Sequence, residues 1–329
     1  MLSRAAETLF WMARYIERAE DITRLLAVNF DALLDQRLED ARSGWMPLVT
    51  ITGDEALFLK SYSEAAPRAV IEFLLWHPEN PNAVSACVTR ARENARTVRE
   101  QISSEMWENI NRFYFLVRDV NRASVLNNPA DFFSQVRHRS QSFQGITSAT
   151  LTHADPYHFL QLGMYLERAD KTARILDAKY MRISQLPKDS AETYPQLIAL
   201  LRSCSAFEPF RRTAHGELDI ERVADYLMLD RNFPRAILFC LMRCLEALDA
   251  LGSENSPLLK AEHPRRILGR LTADLEYLDM HELLGDGMDP YLNQLLIRLN
   301  TVGDDIARAY FNTRAILPDS RPQHQQQQQ

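Results

Sequence analysis

Two glutamates, each followed directly by an arginine, are the residues of this sequence best suited to chemistry. Glu17-Arg18 and Glu167-Arg168 stand in two segments that repeat one another at a shift of about 150 residues. The matching positions are Tyr15, Glu17, Arg18, Ala19, Arg24 and Leu26 in the first segment and Tyr165, Glu167, Arg168, Ala169, Arg174 and Leu176 in the second. Such carboxylates could exchange protons with a substrate, such arginines could hold a carboxylate, and the charges could also simply pair with one another.

Both segments are predicted to be helices with an apolar stripe and a charged stripe. In the first, Met12 and Ile16 fall on one side, and Glu17 and Arg24 fall on the other. Neighbouring side chains on a helix point about 100° apart, so a glutamate and the next arginine should each reach another helix. Glu17 and Arg24 share a face, as do Glu167 and Arg174, and these four residues could form a partly buried network around a pseudo-two-fold axis. A structural role, a ligand or partner site, and acid-base catalysis all remain open.

An arginine row in the middle of the chain is a second candidate site. Arg92, Arg96 and Arg99 recur on one side of a predicted helix, with Asn94 close by. The row could bind a phosphate or a carboxylate through charge-assisted hydrogen bonds. It could equally be a solvated surface in which the arginines pair with Glu93 and Glu100.

Composition and motifs argue against several classes of function. The formal net charge is −6 and the pI is near 5.8, which disfavours a nucleic-acid-binding protein. Scattered histidines without an H-E-x-x-H motif predict no metal site, and no phosphate-binding glycine loop is found. Without an apolar run long enough for a membrane span or a signal peptide, we expect a cytoplasmic protein. The four cysteines lack paired motifs and fit buried free thiols.

The elements that must position these residues are helices. Glycine is sparse at 10 residues, and alanine, leucine, arginine and glutamate are abundant, so we predict an all-α, single multi-helix bundle with two related halves. The repeated segments should lie on helices over 5–38 and 156–183, and later helical stretches are expected near 195–213, 219–229 and 234–251. One helix or two should follow Asn80-Pro81, with Ser103-Ser104 as the joint in the second case. Residues 1–318 form one domain in this prediction, and 319–329 form a disordered, glutamine-rich tail.

The sequence resembles the alpha-E family, which is named for its helices and their Glu-Arg motif. The resemblance rests on MLSRAAETLFWMARYIERAEDITRLL, ARENARTVREQISSEMWENIN, YLERADKTARILDAKY and DRNFPRAILFC, which occur in the expected order. Two positions depart from the family pattern, because Ala13 replaces an expected glycine and Met164 an expected arginine. The resemblance implies that the ligand- or partner-binding residues are Arg14, Tyr15, Glu17, Arg18, Arg24, Asn94, Arg96, Arg99, Glu167, Arg168 and Arg174.

The resemblance also implies a functional context. Such proteins are typically encoded beside a circularly permuted ATP-grasp protein similar to peptide or amide ligases, often with a transglutaminase-like protein and sometimes with a proteasome-like peptidase. We therefore expect an accessory subunit that binds an ATP-dependent amide ligase, or presents its substrate, through the Glu-Arg helices and the arginine row. ATP and Mg²⁺ are expected on the ligase, and no cofactor is expected on this chain. A second copy of this chain is a further candidate partner. The alternative is a stand-alone enzyme that acts on a carboxylated or peptide substrate, with Glu17 and Glu167 as acid-base groups.

Overall fold

The residues that dominate the sequence are good helix formers, and the structure is helical accordingly. The computed structural model of the protein describes residues 1, 3–35, 44–187, 190–213, 217–252 and 264–311. Across these ranges the chain forms sixteen α-helices and no strand, which confirms the predicted all-α fold.

In chain order, the helices are α1 (Ser3–Asp35), α2 (Met46–Thr52), α3 (Glu55–Ser61), α4 (Pro67–Trp76), α5 (Val84–Thr97), α6 (Ser104–Asp119), α7 (Arg122–Asn127), α8 (Ala130–Thr150), α9 (Asp155–Ser184), α10 (Thr193–Ser203), α11 (Phe207–Thr213), α12 (Ile220–Leu229), α13 (Ile237–Ala250), α14 (Pro264–Glu276), α15 (Met280–Asp286) and α16 (Met288–Ile306). A 3₁₀ turn at Arg99–Gln101 lies between α5 and α6. A π-helical turn at Ala307–Phe311 continues α16.

Two long helices, α1 and α9, pack against each other at the centre and carry the two Glu-Arg segments. They can run for 33 and 30 residues because neither has a proline in its interior. At Gly163 they approach so closely that an added Cβ would lie 2.3 Å from the carbonyl oxygen of Phe10. The missing side chain at Gly163 therefore permits the crossing.

The other helices surround this pair. The α5 and α8 helices pack against α1, whereas α13 and α16 pack against α9. The α6 helix lies against both α5 and α8, and α14 lies against both α13 and α16. Buried apolar side chains from Ala6 to Phe311 form one continuous cluster, as a single bundle requires. The relation of the two halves as an internal repeat stays a prediction.

The side of α1 that carries Glu17 and Arg24 is buried, and more completely than the partly buried network expected from the sequence. Glu17, Asp21 and Arg24 are at most 2% exposed, as are Met12 and Ile16 on the apolar side. The reason is tertiary, because α8, α9 and the segment before α13 cover the charges with polar partners of their own. A helical period locates two stripes but does not tell which of them a neighbour will cover.

Two helix starts differ from the sequence prediction. The Asn80-Pro81 pair does not open α5, because the Asn80 side chain accepts the backbone N–H of Asn82 at 2.9 Å and forms a turn. The helix then begins at Val84. The α13 helix likewise begins at Ile237, three residues after Pro234.

Two predicted helical stretches each contain a break. The joint expected at Ser103-Ser104 is confirmed, since Ser103 Oγ caps α6 by accepting the N–H of Met106 at 3.1 Å. The stretch predicted over 195–213 is interrupted between α10 and α11, where Ser205 adopts a φ of 54°. The short helices α2 and α7 were not predicted, because six or seven residues give too little periodicity to detect.

Some predictions concern residues outside the described ranges. These are the disordered tail at 319–329 and residues 36–38 of the first repeat helix. Among the helices that are described, none combines the length and the apolar character that crossing a membrane requires.

Candidate functional site

The two Glu-Arg segments exchange ion pairs where α1 meets α9. Arg18 donates from Nε to Glu167 Oε1 at 2.7 Å and from Nη2 to Glu167 Oε2 at 3.1 Å. In return, Arg168 donates from Nε to Glu17 Oε1 at 2.8 Å. Each arginine thus binds the glutamate of the other segment and not its own neighbour in sequence, as the 100° separation of adjacent helical side chains implies.

Glu167 is completely buried and lies among three cations, which together we call the Glu167 cluster. Arg14 donates from Nε to Oε2 at 2.7 Å, Arg18 binds both oxygens, and Lys171 Nζ lies 3.6 Å from Oε1. Burial acts to raise the pKa of Glu167, but the charges of Arg18, Arg14 and Lys171 outweigh it and hold the pKa well below its ordinary value. Glu167 is therefore an ionised and immobilised anion.

Glu17 is bound from three other parts of the chain. Its Oε1 accepts from Arg168 Nε and from Arg235 Nη1, both at 2.8 Å. Its Oε2 accepts from Gln144 Nε2 at 2.9 Å, and Gln144 Oε1 in turn accepts from Arg168 Nη2 at 2.8 Å. These contacts tie α1 to α8, to α9 and to the segment before α13.

Arg235 is the main participant that sequence reasoning missed. A signal for it exists, because Pro81-Asn82-Ala83 before α5 and Pro234-Arg235-Ala236 before α13 are both followed four residues later by a cysteine. The structure gives the middle residues of the two turns comparable places. Asn82 Oδ1 accepts from Arg18 Nη1 at 2.7 Å, and Arg235 donates to Glu17.

Arg24 does not bind Glu17, and Arg174 does not bind Glu167, although each pair shares a helix face. Arg24 donates from Nη1 to Asp21 Oδ1 at 2.6 Å and from Nη2 to Glu20. Arg174 donates from Nε to both oxygens of its own neighbour, Asp170, at 3.1 and 2.9 Å. Side chains three or four residues apart are adjacent on a helix, whereas seven residues span two turns. Each arginine therefore binds the acids three or four residues away.

The acids around Arg24 also bind Arg235 and differ in their protonation behaviour. Arg235 donates to Glu20 Oε1 and to Asp21 Oδ1, both at 2.8 Å. Burial acts to raise the pKa of Glu20, but Arg235 and Arg24 outweigh it and lower the pKa to about 2. For Asp21 burial prevails and raises the pKa to about 6, and within the described structure its Oδ2 has no hydrogen-bond partner.

The lowered pKa of Glu20 predicts that acid removes the stabilisation which this residue contributes to the fold. Its folded pKa of about 2 lies below the ordinary 4.5, so the unfolded chain takes up this proton first as the pH falls. The stabilisation by Glu20 is present above pH 4.5 and is lost as the pH falls towards 2. We expect Glu20→Gln to be less stable than wild type at pH 7 and to approach it in acid. Urea midpoints across this range measure the effect, and Glu108→Gln is the exposed control, for which the difference should stay constant.

Cations and aromatic rings from α1 and α5 form the solvent-facing edge of the Glu167 cluster. The guanidinium carbon of Arg14 lies 4.9 Å from the centre of the Trp11 ring. The Tyr15 ring lies 6.0 Å from the guanidinium carbon of Arg18 and 5.7 Å from that of Arg90. The side chains of Arg14 and Arg18 are each 14% exposed. We call these five residues the Arg14 rim.

The predicted arginine row lies on the outer surface and is separate from the Glu-Arg network. Arg96 is 68% exposed and pairs with Glu93 at 2.9 Å. Arg92 and Arg99 stand 5.8 and 5.9 Å from the Trp107 ring. Asn94 does not join the row, because its Nδ2 donates to the carbonyl oxygen of Thr8 at 3.2 Å and links α5 to α1.

Arginines bind both glutamates at the crossing. Across the residues that the structure describes, no three His, Cys, Asp or Glu side chains form a group that could hold a metal ion. A slot of about 10 Å³ lies beside Glu17, between Gln144 and Met164. This is room for one water molecule and far below the roughly 300 Å³ of a small-molecule site.

Comparison with known proteins identifies the family. The family model Alpha-E, a predicted alpha-helical domain with a conserved ER motif, matches residues 1–311. Relatives include an uncharacterized protein of Mycobacterium bovis and one in each of two Mycobacterium tuberculosis strains, all 24% identical over 344 residues. The match covers 96% of this chain but only 37% of each relative. No solved structure shows significant similarity. Because the family model spans both Glu-Arg segments and all the helices described, the chain belongs to the Alpha-E family.

Proposed function

We propose that this chain is a non-catalytic subunit that works with an ATP-grasp-type amide ligase, either by binding the ligase or by presenting its substrate. The family resemblance supplies the partner, a circularly permuted ATP-grasp protein that would carry ATP and Mg²⁺. A transglutaminase-like protein, a proteasome-like peptidase or a second copy of this chain would join the same system. The protein would act in the cytoplasm.

The main observation behind the proposal is that both motif glutamates are buried and already bound by arginines. Glu17 and Glu167 are at most 1% exposed, and arginines bind both of them. A general acid or base must come within hydrogen-bond reach of its substrate. The lowered pKa of Glu167 is also opposite to the raised pKa that a glutamate needs to act as an acid near neutral pH. Glutamates in this state support an architectural role.

The stand-alone enzyme receives less support from the same geometry. It requires a closed pocket between the two segments, with a glutamate facing a carboxylated or peptide substrate. The slot beside Glu17 has room for one water molecule at most, and the Glu17 oxygens already accept from Arg168, Arg235 and Gln144. A substrate would have to displace these partners and break the contact between α1 and α9.

The relatives are consistent with a subunit role. In the mycobacterial proteins the matching region makes up 37% of the chain, so most of each relative is other sequence. A domain that forms part of a longer chain is expected to function beside the other domains of that chain. The surface we propose for this contact is the outer face at the end of α5 and the 3₁₀ turn after it. Arg96, which is 68% exposed, and Arg99 lie there and could bind acidic groups of a ligase.

Co-expression with the ATP-grasp protein tests the proposal. We expect the tagged ligase to retain this chain through affinity and size-exclusion chromatography, and ligase ATP turnover on amino acids and peptides to require it. Reversing the charge of the row with Arg96→Glu and Arg99→Glu should weaken co-purification by about tenfold or more, whereas Arg270→Glu on the exposed side of α14 should not. Absence of a complex, together with turnover that is the same with and without this chain, would refute the proposal.

A further inference from the structure

The two ends of the Glu-Arg network differ in charge. At one end Glu17, Glu20 and Asp21 form ion pairs with Arg24, Arg168 and Arg235, so carboxylates and guanidiniums are equal in number. At the other end Glu167 and Asp170 form ion pairs with Arg14, Arg18, Lys171 and Arg174, an excess of two cations. A buried charge is stable only when an opposite charge or hydrogen bonds compensate for its lost hydration. The positive charge at this second end is therefore only partly compensated.

Three substitutions between matching positions account for the difference. Where the first segment has Asp21, the second has Lys171, and where Arg235 precedes α13, Asn82 precedes α5. Arg14 matches Met164, which brings no charge to Glu17. Gln144 instead donates to Glu17 Oε2, the oxygen that corresponds to the one Arg14 binds on Glu167.

The uncompensated charge lies at Arg14. Two further acids act on this end of the network: Asp54 binds Asn82, which in turn binds Arg18, and Asp177 acts on Arg174. No described contact joins either acid to Arg14. Within the described structure, Arg14 therefore pairs with one acid, Glu167, which also pairs with Arg18 and Lys171.

The shape of the Arg14 rim suits an anion with an organic body. Arg14 uses its Nε for Glu167, which holds the guanidinium over the Trp11 ring, and its two Nη groups have no acceptor among the described residues. A guanidinium with both Nη groups available can bind a carboxylate through parallel hydrogen bonds. The Trp11 and Tyr15 rings, 5.6 Å apart, provide an apolar surface beside this position. Arg90 adds a further positive charge next to Tyr15.

We infer that the Arg14 rim binds an organic carboxylate, such as the acidic side chain or the terminus of a peptide. The choice of a carboxylate over other anions rests on the proposed function, because amide ligases consume carboxylates. The charge imbalance at Arg14 does not depend on that function. The matching edge around Met164, which lacks the uncompensated guanidinium, should not bind the ligand.

Titration of the purified full chain with N-acetylglutamate tests the inference. N-acetylglutaminamide, in which carboxamides replace both carboxylates of N-acetylglutamate, is an uncharged ligand control of nearly the same shape. Sodium chloride is added to keep the ionic strength equal in the two titrations. We expect calorimetric binding and a raised melting temperature with N-acetylglutamate alone. Arg14→Met, which installs the residue of the matching position, should weaken binding by about tenfold or more, the equivalent of losing a charge-assisted contact.

Two further variants separate ligand binding from folding. Arg90 lies outside the ion-paired network and, within the described ranges, donates only to the carbonyl oxygen of Pro81. The Arg90→Ala variant should therefore fold normally but bind N-acetylglutamate several-fold more weakly. Arg243→Ala removes the corresponding arginine beside Phe239 and should leave the affinity unchanged. Equal affinity in wild type and Arg14→Met, equal binding of both ligands, or tighter binding of inorganic phosphate would overturn the inference.

The result of this titration can be distinguished from the result of the co-expression experiment that tests the proposed function. If the ligase co-purifies but N-acetylglutamate does not bind, the proposed function stands and the carboxylate site is refuted. If N-acetylglutamate binds through Arg14 but no ligase complex forms, the site is supported and the proposed function fails.

Discussion

Replacing Glu167 with glutamine should lower the free energy of unfolding by about 3–5 kcal/mol, the cost of leaving buried charges without their partner. Glutamine keeps the shape of the side chain but removes the negative charge that Arg14, Arg18 and Lys171 share. The side chains of these cations are at most 14% exposed, so water can replace the lost carboxylate only in part. The loss should appear as a lower midpoint in urea unfolding followed by far-ultraviolet circular dichroism, with an unchanged slope.

Glu93→Gln is the matched control. Glu93 also binds two arginines, Arg92 at 3.1 Å and Arg96 at 2.9 Å, but its side chain is 46% exposed. Water can replace the lost carboxylate there, so we expect a loss below about 1 kcal/mol. If the two variants lose similar amounts of stability, the buried Glu167 cluster stabilises the fold no more than an exposed ion pair does. The proposal that the Glu-Arg motif has an architectural role would then be wrong.

Replacing Gly163 with alanine should destabilise the protein by about 1–3 kcal/mol, although alanine is the better helix former. The new Cβ would lie 2.3 Å from the carbonyl oxygen of Phe10, which is backbone and cannot rotate away. The α1 and α9 helices would have to separate locally, and the 2.7–2.8 Å bonds between the two Glu-Arg segments would lengthen with them. Thermal and urea unfolding of the variant measure this cost.

The Gly145→Ala variant of the same protein should have the opposite effect and gain stability. Gly145 lies inside α8, is exposed, and has no atom within 4 Å of an added Cβ. Alanine should therefore stabilise the helix by about 0.5–1 kcal/mol through its lower backbone entropy. If Gly163→Ala stabilises the protein to the same extent as Gly145→Ala, then α1 and α9 do not cross as closely as described.

Much of the fold could be predicted because helix formation depends on residues close in sequence. The repeat helices were expected over 5–38 and 156–183, and the structure has α1 at Ser3–Asp35 and α9 at Asp155–Ser184. Their lack of interior proline and their apolar spacing suffice for that prediction. The starts of α5 and α13 were misplaced because the side chains of turn residues, such as Asn80, bind the backbone locally in ways that proline position alone does not reveal.

The candidate site could be predicted only in part. Sequence reasoning selected Glu17, Arg18, Glu167 and Arg168, which the structure brings together. It also grouped Arg24 with Glu17, and the structure joins these two residues only indirectly, through Asp21 and Arg235. It grouped Asn94 with the arginine row, and the structure separates Asn94 from that row. It left out Arg235, which binds three acids of α1.

The sequence by itself determined that the protein is all-helical, that two similar charged segments lie on its long helices, and that it resembles the alpha-E family. These properties depend on composition, on short-range spacing and on the order of motifs. Only the tertiary structure decided that the charged stripe of α1 is buried and which arginine binds which glutamate. Glu17 and Arg235 are 218 residues apart, and helical periodicity repeats every few residues, so it holds no information about which distant segments meet.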